Sequence, residues 1–233
     1  MNTSDGAAVS STSESSLDDT LPLAPAEMLA LLTEQQRTVT AKMGGFVPVI
    51  MATWGGAWLL GFGALWLIDG LRPAFSLPIA VAVGIFIAVL VVAIGASIWL
   101  GVRSSRGVKS GGGSDFSGTV YGVTWTAGSL AIGAIGGALV QNGLSPELAN
   151  LFYPSIFIFF VGVMYVMAGA IWRAVPSVVA GGWLLLLAAV APFLGYPWHY
   201  LLFALAGGLG FLAFSILGRN LLNGSREFTP AAA

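Results

Sequence analysis

His199 is the only histidine in this chain, and cysteine is absent. Without them there is no His or Cys cluster to hold a metal, no disulfide, no iron–sulfur ligation, no thiol nucleophile and no cysteine to lipidate. A histidine working as a general base needs a carboxylate to orient it and a nucleophile to activate. The loop around His199 holds neither acid, and the nearest ones on its side of the chain, Asp69 and Glu147, belong to other loops. His199 therefore reads as an interfacial hydrogen-bonding residue beside Trp198 and Tyr200. No catalytic set, cofactor or metal centre is expected, and the chain is not expected to be an enzyme. A lysine also stands beside a glycine run, in Lys109-Ser110-Gly111-Gly112-Gly113-Ser114-Asp115. A phosphate loop needs G-x-x-x-x-G-K-[ST] between a strand and a helix. That pattern is missing, so Arg103–Ser117 reads as a flexible linker. The formal net charge of −1 offers nucleic acid no basic surface.

The elements that carry these residues follow from where charge is missing. Only 8% of the residues are charged and 57% are hydrophobic, against about 25% charged in a soluble domain. Mean hydropathy is +0.88. Six runs hold no Asp, Glu, Lys or Arg: Gly44–Ile68, Leu77–Val102, Gly118–Val140, Leu148–Ile171, Pro176–Phe193 and Tyr200–Leu217. An apolar run of about 18 or more residues crosses the roughly 30 Å hydrocarbon core as a helix. The expected fold is an all-α integral membrane protein, a bundle of six transmembrane helices over residues 44–218. A disordered tail over 1–22, an amphipathic interfacial helix over 23–43 and a short tail over 219–233 complete it. Residues 1–22 are polar and acidic, with no basic segment of the kind that opens a signal peptide.

Eight of the nine basic residues fall in alternate connections, before the first span, after the second, after the fourth and after the sixth; only Arg72 lies opposite. Basic loops stay in the cytoplasm. Both termini are therefore expected there, in a multi-pass protein of the plasma membrane.

Within the 23–43 helix, Met28, Leu32, Val39 and Met43 form one apolar stripe, with Pro25 and Glu27 in the first turn. Such a helix lies on the inner leaflet or docks a partner. Met28, Leu32 and Val39, with Arg103, Arg106 and Lys109 of the linker, are the candidate docking residues. In the third span Gly122, Thr126, Ser129, Gly133 and Gly136 share a face, and Gly133 pairs with Gly137 as G-x-x-x-G. Gly207, Gly208 and Gly210 form a similar face in the sixth. Small residues let helices approach closely, so these faces are expected to be helix seams or the wall of a pathway. Pro154 should kink the fourth span and free a carbonyl that must find another donor. Phe46–Trp66 and Phe152–Trp172 agree at seven of twenty-one positions. Three spans per half would make that an inverted repeat, a common transporter plan.

The spans contain no ionisable residue for proton coupling. The leading expectation is a small permease or permease subunit of unknown substrate, not proton-coupled. The alternative is a scaffold, sensor or accessory subunit binding another membrane protein, or a second copy of itself, through its glycine faces. Six spans, both ends inside and an amphipathic helix before the first span resemble the layout of ABC-2-type permease subunits. The resemblance covers the whole chain as layout and rests on no motif; the Gly/Ser-rich linker departs from it, where a helical coupling element would be expected. It implies a cytoplasmic ATPase that meets Leu23–Met43 and Arg103–Asp115.

Overall fold

The computed structural model describes residues 24–105 and 112–217, and only the backbone at 32–47, 104–105 and 112–115. The chain divides into two units, Met1–Lys42 and Met43–Ala233. Helix α1 runs over Pro25–Trp66. At its start the Ala24 N–H donates to the Glu27 carboxylate at 3.2 Å, one of the orphan donors that open any helix. Met28, Leu29 and Leu31 are exposed.

The second unit is built of helices joined by turns and short connections, with no strand among the described residues. α2 covers Ile79–Ser105, α3 Gly112–Gln141, α4 Pro146–Ile171 and α5 Val175–Leu194. α6 covers Trp198–Leu217 and widens into a π-helical segment over Phe203–Leu209. Six of these segments are long and apolar enough to cross a membrane, from Pro48–Trp66 to Trp198–Leu217. The chain is thus an all-α polytopic membrane protein, as its charge-free runs predict. α2 and α3 reach further into the Arg103–Ser117 connection than expected, to Ser105 and from Gly112. Helical backbone satisfies its own N–H and C=O groups, so spans extend past the apolar boundary where nothing ends them.

The helix ends follow from local chemistry. Ser145 accepts from the Leu148 N–H at 3.3 Å, Pro146 fills the first turn, and Glu147 follows it at the positive helix end. α3 closes through Gly143 at φ +96, with the Leu144 N–H on the Leu139 carbonyl. α4 closes the same way through Arg173 at φ +52, with the Ala174 N–H on the Gly169 carbonyl. Gly195, Tyr196 and Pro197 alone connect α5 to α6, in a tight turn.

Burial is uneven. In the most apolar window of α2 11% is buried and in α3 6%, against 28–39% for the other spans. The core joins Trp58 and Phe62 of α1, Ile158 of α4, Leu184 and Leu187 of α5, and Phe203 and Phe211 of α6. Glycines set the helix separations. A Cβ on Gly55 would stand 2.9 Å from the Gly208 carbonyl oxygen, and one on Gly181 would stand 2.7 Å from that of Gly162. These two backbone-to-backbone seams fasten α1 to α6 and α4 to α5. α2 leans on α1 through Gly61, whose Cβ would meet the Phe86 ring at 2.9 Å. α3 leans on α4 through Gly128 beneath Phe160 and Gly136 beneath Tyr153, each at 2.4 Å.

Candidate functional site

A cavity of about 910 Å³ lies among α1, α2, α3 and α4, with Tyr200 of α6 at one end. Ligand pockets typically span roughly 300–1,000 Å³, so this one has room for a drug-sized molecule. Trp54, Trp58, Phe62 and Leu65 of α1 form its back. Phe86, Leu90 and Ile94 of α2 form one side, and Trp125, Ser129 and Val140 of α3 the other. Asn150, Tyr153, Pro154, Phe157, Ile158 and Val161 of α4 close it. From Leu65 to Trp54, or from Val140 to Ser129, is eleven residues, about 16 Å at 1.5 Å per helical residue. The cavity thus runs from the membrane face that bears Leu144 and Pro146 to about mid-depth. Among its lining residues no hydrogen bond or ring contact joins α2 to α3, and no side chain is charged.

The aromatic walls are fixed from behind. Trp58 packs edge-on against Phe62 at 5.4 Å and Phe211 at 5.2 Å, and its indole occupies the space a Cβ on Gly207 would need. Trp54 donates its indole N–H to Ser97 Oγ at 3.0 Å, and Ser97 donates onward to the Ala93 carbonyl. Trp125 stands edge-on to Phe160 at 5.4 Å. In α6 the Ala206 carbonyl accepts from the Trp183 indole at 3.1 Å. Gly210 keeps that approach open, since its Cβ would lie 2.8 Å from the indole nitrogen.

Pro154 provides the carbonyl that the sequence predicts to be orphaned, and His199 satisfies it. Proline has no N–H to give the Asn150 carbonyl four residues back. His199 Nε2 lies 3.0 Å from that oxygen, 49 positions away in sequence. The other ring nitrogen lies 3.2 Å from the Gly195 carbonyl, which already accepts the His199 backbone N–H at 3.0 Å. A neutral imidazole donates from one nitrogen only. The carbonyl without a backbone donor takes it, which assigns the proton to Nε2. His199 is thus a hydrogen-bonding residue, as expected, but fully buried between α4 and α6 and not exposed at the interface. Its ring centroid lies 3.9 Å from that of Tyr200, so it also seats the residue that ends the cavity.

At the same membrane face the Asp69 carboxylate forms an ion pair with Arg72 at 2.8 Å and accepts a hydrogen bond from the Tyr196 hydroxyl. Partial burial, the bond to Asp69 and the carboxylate's negative charge push the Tyr196 hydroxyl pKa well above its usual value. This link ties the end of α1 to the α5–α6 turn. Gly70 makes room for it: a Cβ there would run into the Trp66 indole. The indole N–H of Trp66 and the Ser155 hydroxyl are buried without a hydrogen-bond partner.

The residues singled out in the sequence are distributed as follows. Ser129 lines the cavity, and Gly136, Gly207, Gly208 and Gly210 each lie against a neighbouring helix. Gly122, Gly133 and Gly137 have nothing within 4 Å of a Cβ, and Thr126 is exposed. Gly122 and Thr126 instead line a shallow groove on the outer face of α3. The face of α3 that meets α4 carries Tyr121, Trp125, Gly128 and Gly136. Met28 is exposed, and the Arg103 guanidinium lies 5.2 Å from the Trp99 ring. The side chains of Leu32 and Val39, and the whole of Arg106 and Lys109, lie outside the described residues. Sequence reasoning missed Trp54, Trp58 and Trp125 as cavity walls; three tryptophans at mid-span depth, away from the interface that tryptophan favours, were the available signal. Among the described residues no group of His, Cys, Asp or Glu could hold a metal ion. Compared with known proteins, the chain matches no family model, no curated protein and no solved structure.

Proposed function

We propose that this chain is a membrane permease, or the membrane subunit of one, for an apolar, lipid-like small molecule that enters from the bilayer between α2 and α3. The observation that carries this reading is the uncharged, aromatic-walled cavity flanked by the two least buried spans. An ion or a sugar would need charge or a dense polar lining to replace its hydration. An apolar molecule needs neither, and tryptophan and phenylalanine faces give it large contact areas. The spans hold no coupling charge, so a cytoplasmic partner such as an ATPase supplies the energy. The positive-inside bias supports a plasma-membrane protein with both termini in the cytoplasm. The cavity then opens toward the outer face.

The test is accumulation of an uncharged lipophilic dye in cells with and without the chain, with tryptophan quenching of the purified protein by a brominated alkane. A change in accumulation and saturable quenching are expected, and both should be lost in Ala149→Phe, which fills the cavity mouth. Absence of saturable quenching would remove the proposal. Because the chain lacks cysteine, single-cysteine variants report topology without background. Ser76→Cys and Asn142→Cys should react with an impermeant thiol reagent in intact cells, and Arg173→Cys should not.

A second reading is supported by the outer groove of α3, where Gly118, Gly122 and Thr126 leave room for a helix of another membrane protein. An accessory subunit would crosslink to a partner from Gly122→Cys. A permease working alone would not.

A further inference from the structure

We infer that the cavity selects an uncharged amphiphile, with a hydroxyl, carbonyl or amide head at the Asn150–Tyr200 end and a hydrocarbon or ring body along the tryptophan wall. This rests on the proposal that an apolar molecule occupies the cavity, and it names that molecule's chemistry. Two observations carry it, one about charge and one about polar groups left uncommitted.

No lining residue is charged, so an ionised head would lose its water with no counter-charge to replace it. Of the charges at the same membrane face, Asp69 holds Arg72 and accepts from Tyr196, and Glu147 sits in the first turn of α4 outside the cavity lining. The cavity nevertheless contains polar side chains. Ser129, Asn150, Tyr153 and Tyr200 all line it. Elsewhere in the bundle several hydroxyls donate to main-chain carbonyls, Thr53 to Val49, Ser97 to Ala93, Thr124 to Val120 and Ser215 to Pro48, with Ser155 an exception. Among the described residues, none of the four cavity side chains makes such a bond. In lipid, an idle hydroxyl or amide gains from any partner it meets. Asn150 and Tyr200 lie at the membrane-face end, where a head group would sit. Ser129 is about 16 Å deeper than Val140, as counted along α3, and offers one further hydrogen bond to an oxygen in the body of the molecule. The four groups are neutral donors and acceptors, the complement of a neutral head.

The experiment uses the full chain in lipid nanodiscs and four brominated probes of one chain length: an alkane, an alcohol, a carboxylic acid and a primary amine. Quenching of Trp54, Trp58 and Trp125 reads binding, and Ala149→Phe reports quenching from the surrounding lipid. The alcohol should bind more tightly than the alkane. Near pH 8 the ionised acid and the protonated amine should bind about tenfold or more weakly than the alcohol, because each buries an unpaired charge. The acid should recover toward the alcohol as pH falls through the carboxyl range, about pH 4–5. Asn150→Leu should lower affinity for the alcohol and leave the alkane unchanged, which a folding defect would not do. An acid or amine binding as tightly as the alcohol near pH 8 overturns the inference while leaving an apolar site in place. So does an alcohol no tighter than the alkane. If no probe, the alkane included, quenches saturably, the functional reading falls and this inference falls with it.

Discussion

The α4–α5 seam and the outer face of α3 are both built from small residues, yet only one is a helix contact. At Gly162 and Gly181 each glycine faces the other's carbonyl oxygen, so neither position can accept a Cβ without moving a backbone. The Gly55–Gly208 seam between α1 and α6 repeats this arrangement. On α3, Gly122 and Gly133 face open space, and Gly137 meets nothing within 4 Å. The glycines of α3 that do pack, Gly128 and Gly136, lie under the flat rings of Phe160 and Tyr153. These glycines pack where the partner brings a matching glycine or an aromatic ring to the same level. The result is a bundle with two dense helix pairs and, beside them, a cavity flanked by two spans that lean on it through side chains alone.

The sharpest break of this contrast is Gly181→Leu against Gly133→Leu. The first places a branched side chain where even a methyl would stand 2.7 Å from backbone atoms of α4. Overpacking a tight contact costs about 1–3 kcal/mol and more where backbone blocks relief. Gly181→Leu is expected to abolish a monodisperse peak in detergent. Gly133→Leu should stay within about 0.5 kcal/mol of the parent, as an open surface position does. Equal loss in both would mean that the outer face of α3 is covered. Next in size is Trp58→Ala, because Trp58 belongs to both regions, as cavity wall and as the ring over Gly207. A loss of about 3–5 kcal/mol is expected from a buried Trp→Ala change, read as a lower midpoint of thermal unfolding. Leu90→Ala, on a cavity wall only, should cost less than half as much.

Much of this fold is legible in the residues because charge placement alone locates six spans, and Ser145-Pro146-Glu147 announces the start of α4. The α3 face is harder to read. Its small residues recur often enough to mark more than one stripe, and the choice between stripes depends on Tyr153 and Phe160 of another helix. The likeness of Phe46–Trp66 to Phe152–Trp172 shows the same limit. It matches Gly56 with Gly162, yet Gly162 is a seam while Gly56 meets nothing within 4 Å and its neighbour Gly55 does the packing. Identity in sequence does not carry identity of contact. The cavity is less legible still, since its walls are tryptophans and leucines that composition assigns equally to lipid contact. The Pro154–His199 link was half readable: a proline within a span demands a donor, but only the fold shows that the lone histidine supplies it.

His199→Leu tests that link. It leaves the part-buried Asn150 carbonyl without that partner, which costs up to about 1–3 kcal/mol. The unfolding midpoint should fall, and His199→Gln, which keeps an N–H donor, should recover part of the loss. If Gln and Leu behave alike, the histidine acts by packing against Tyr200 and not through the carbonyl. Smaller again is the contrast of the two helix ends that close in the left-handed region. Gly143 does so freely, while Arg173 carries a side chain there at roughly 1–2 kcal/mol. Arg173→Gly should raise the midpoint slightly, and Gly143→Ala should lower it.

The smallest effect concerns the membrane face, where Tyr196 reaches Asp69 from across the α5–α6 turn. Tyr196 is 37% exposed and Arg72 is more so, and exposed polar pairs contribute about 0–1 kcal/mol. Its sign with pH is nonetheless fixed. The hydroxyl must keep its proton to donate, and its pKa in the folded chain lies above the ordinary value of 10.0. The stabilisation is therefore complete below about pH 10, the unfolded tyrosine value, and fades as pH rises from there toward the folded value. Tyr196→Phe lacks the bond at every pH. The difference in unfolding midpoint between parent and Tyr196→Phe should thus be small, positive and constant through neutral pH, and should shrink above about pH 10. Taking the difference cancels every other group that titrates in that range. A gap that persists unchanged into strong alkali would show that the tyrosine holds the turn by its ring, and that Asp69 is held by Arg72 alone.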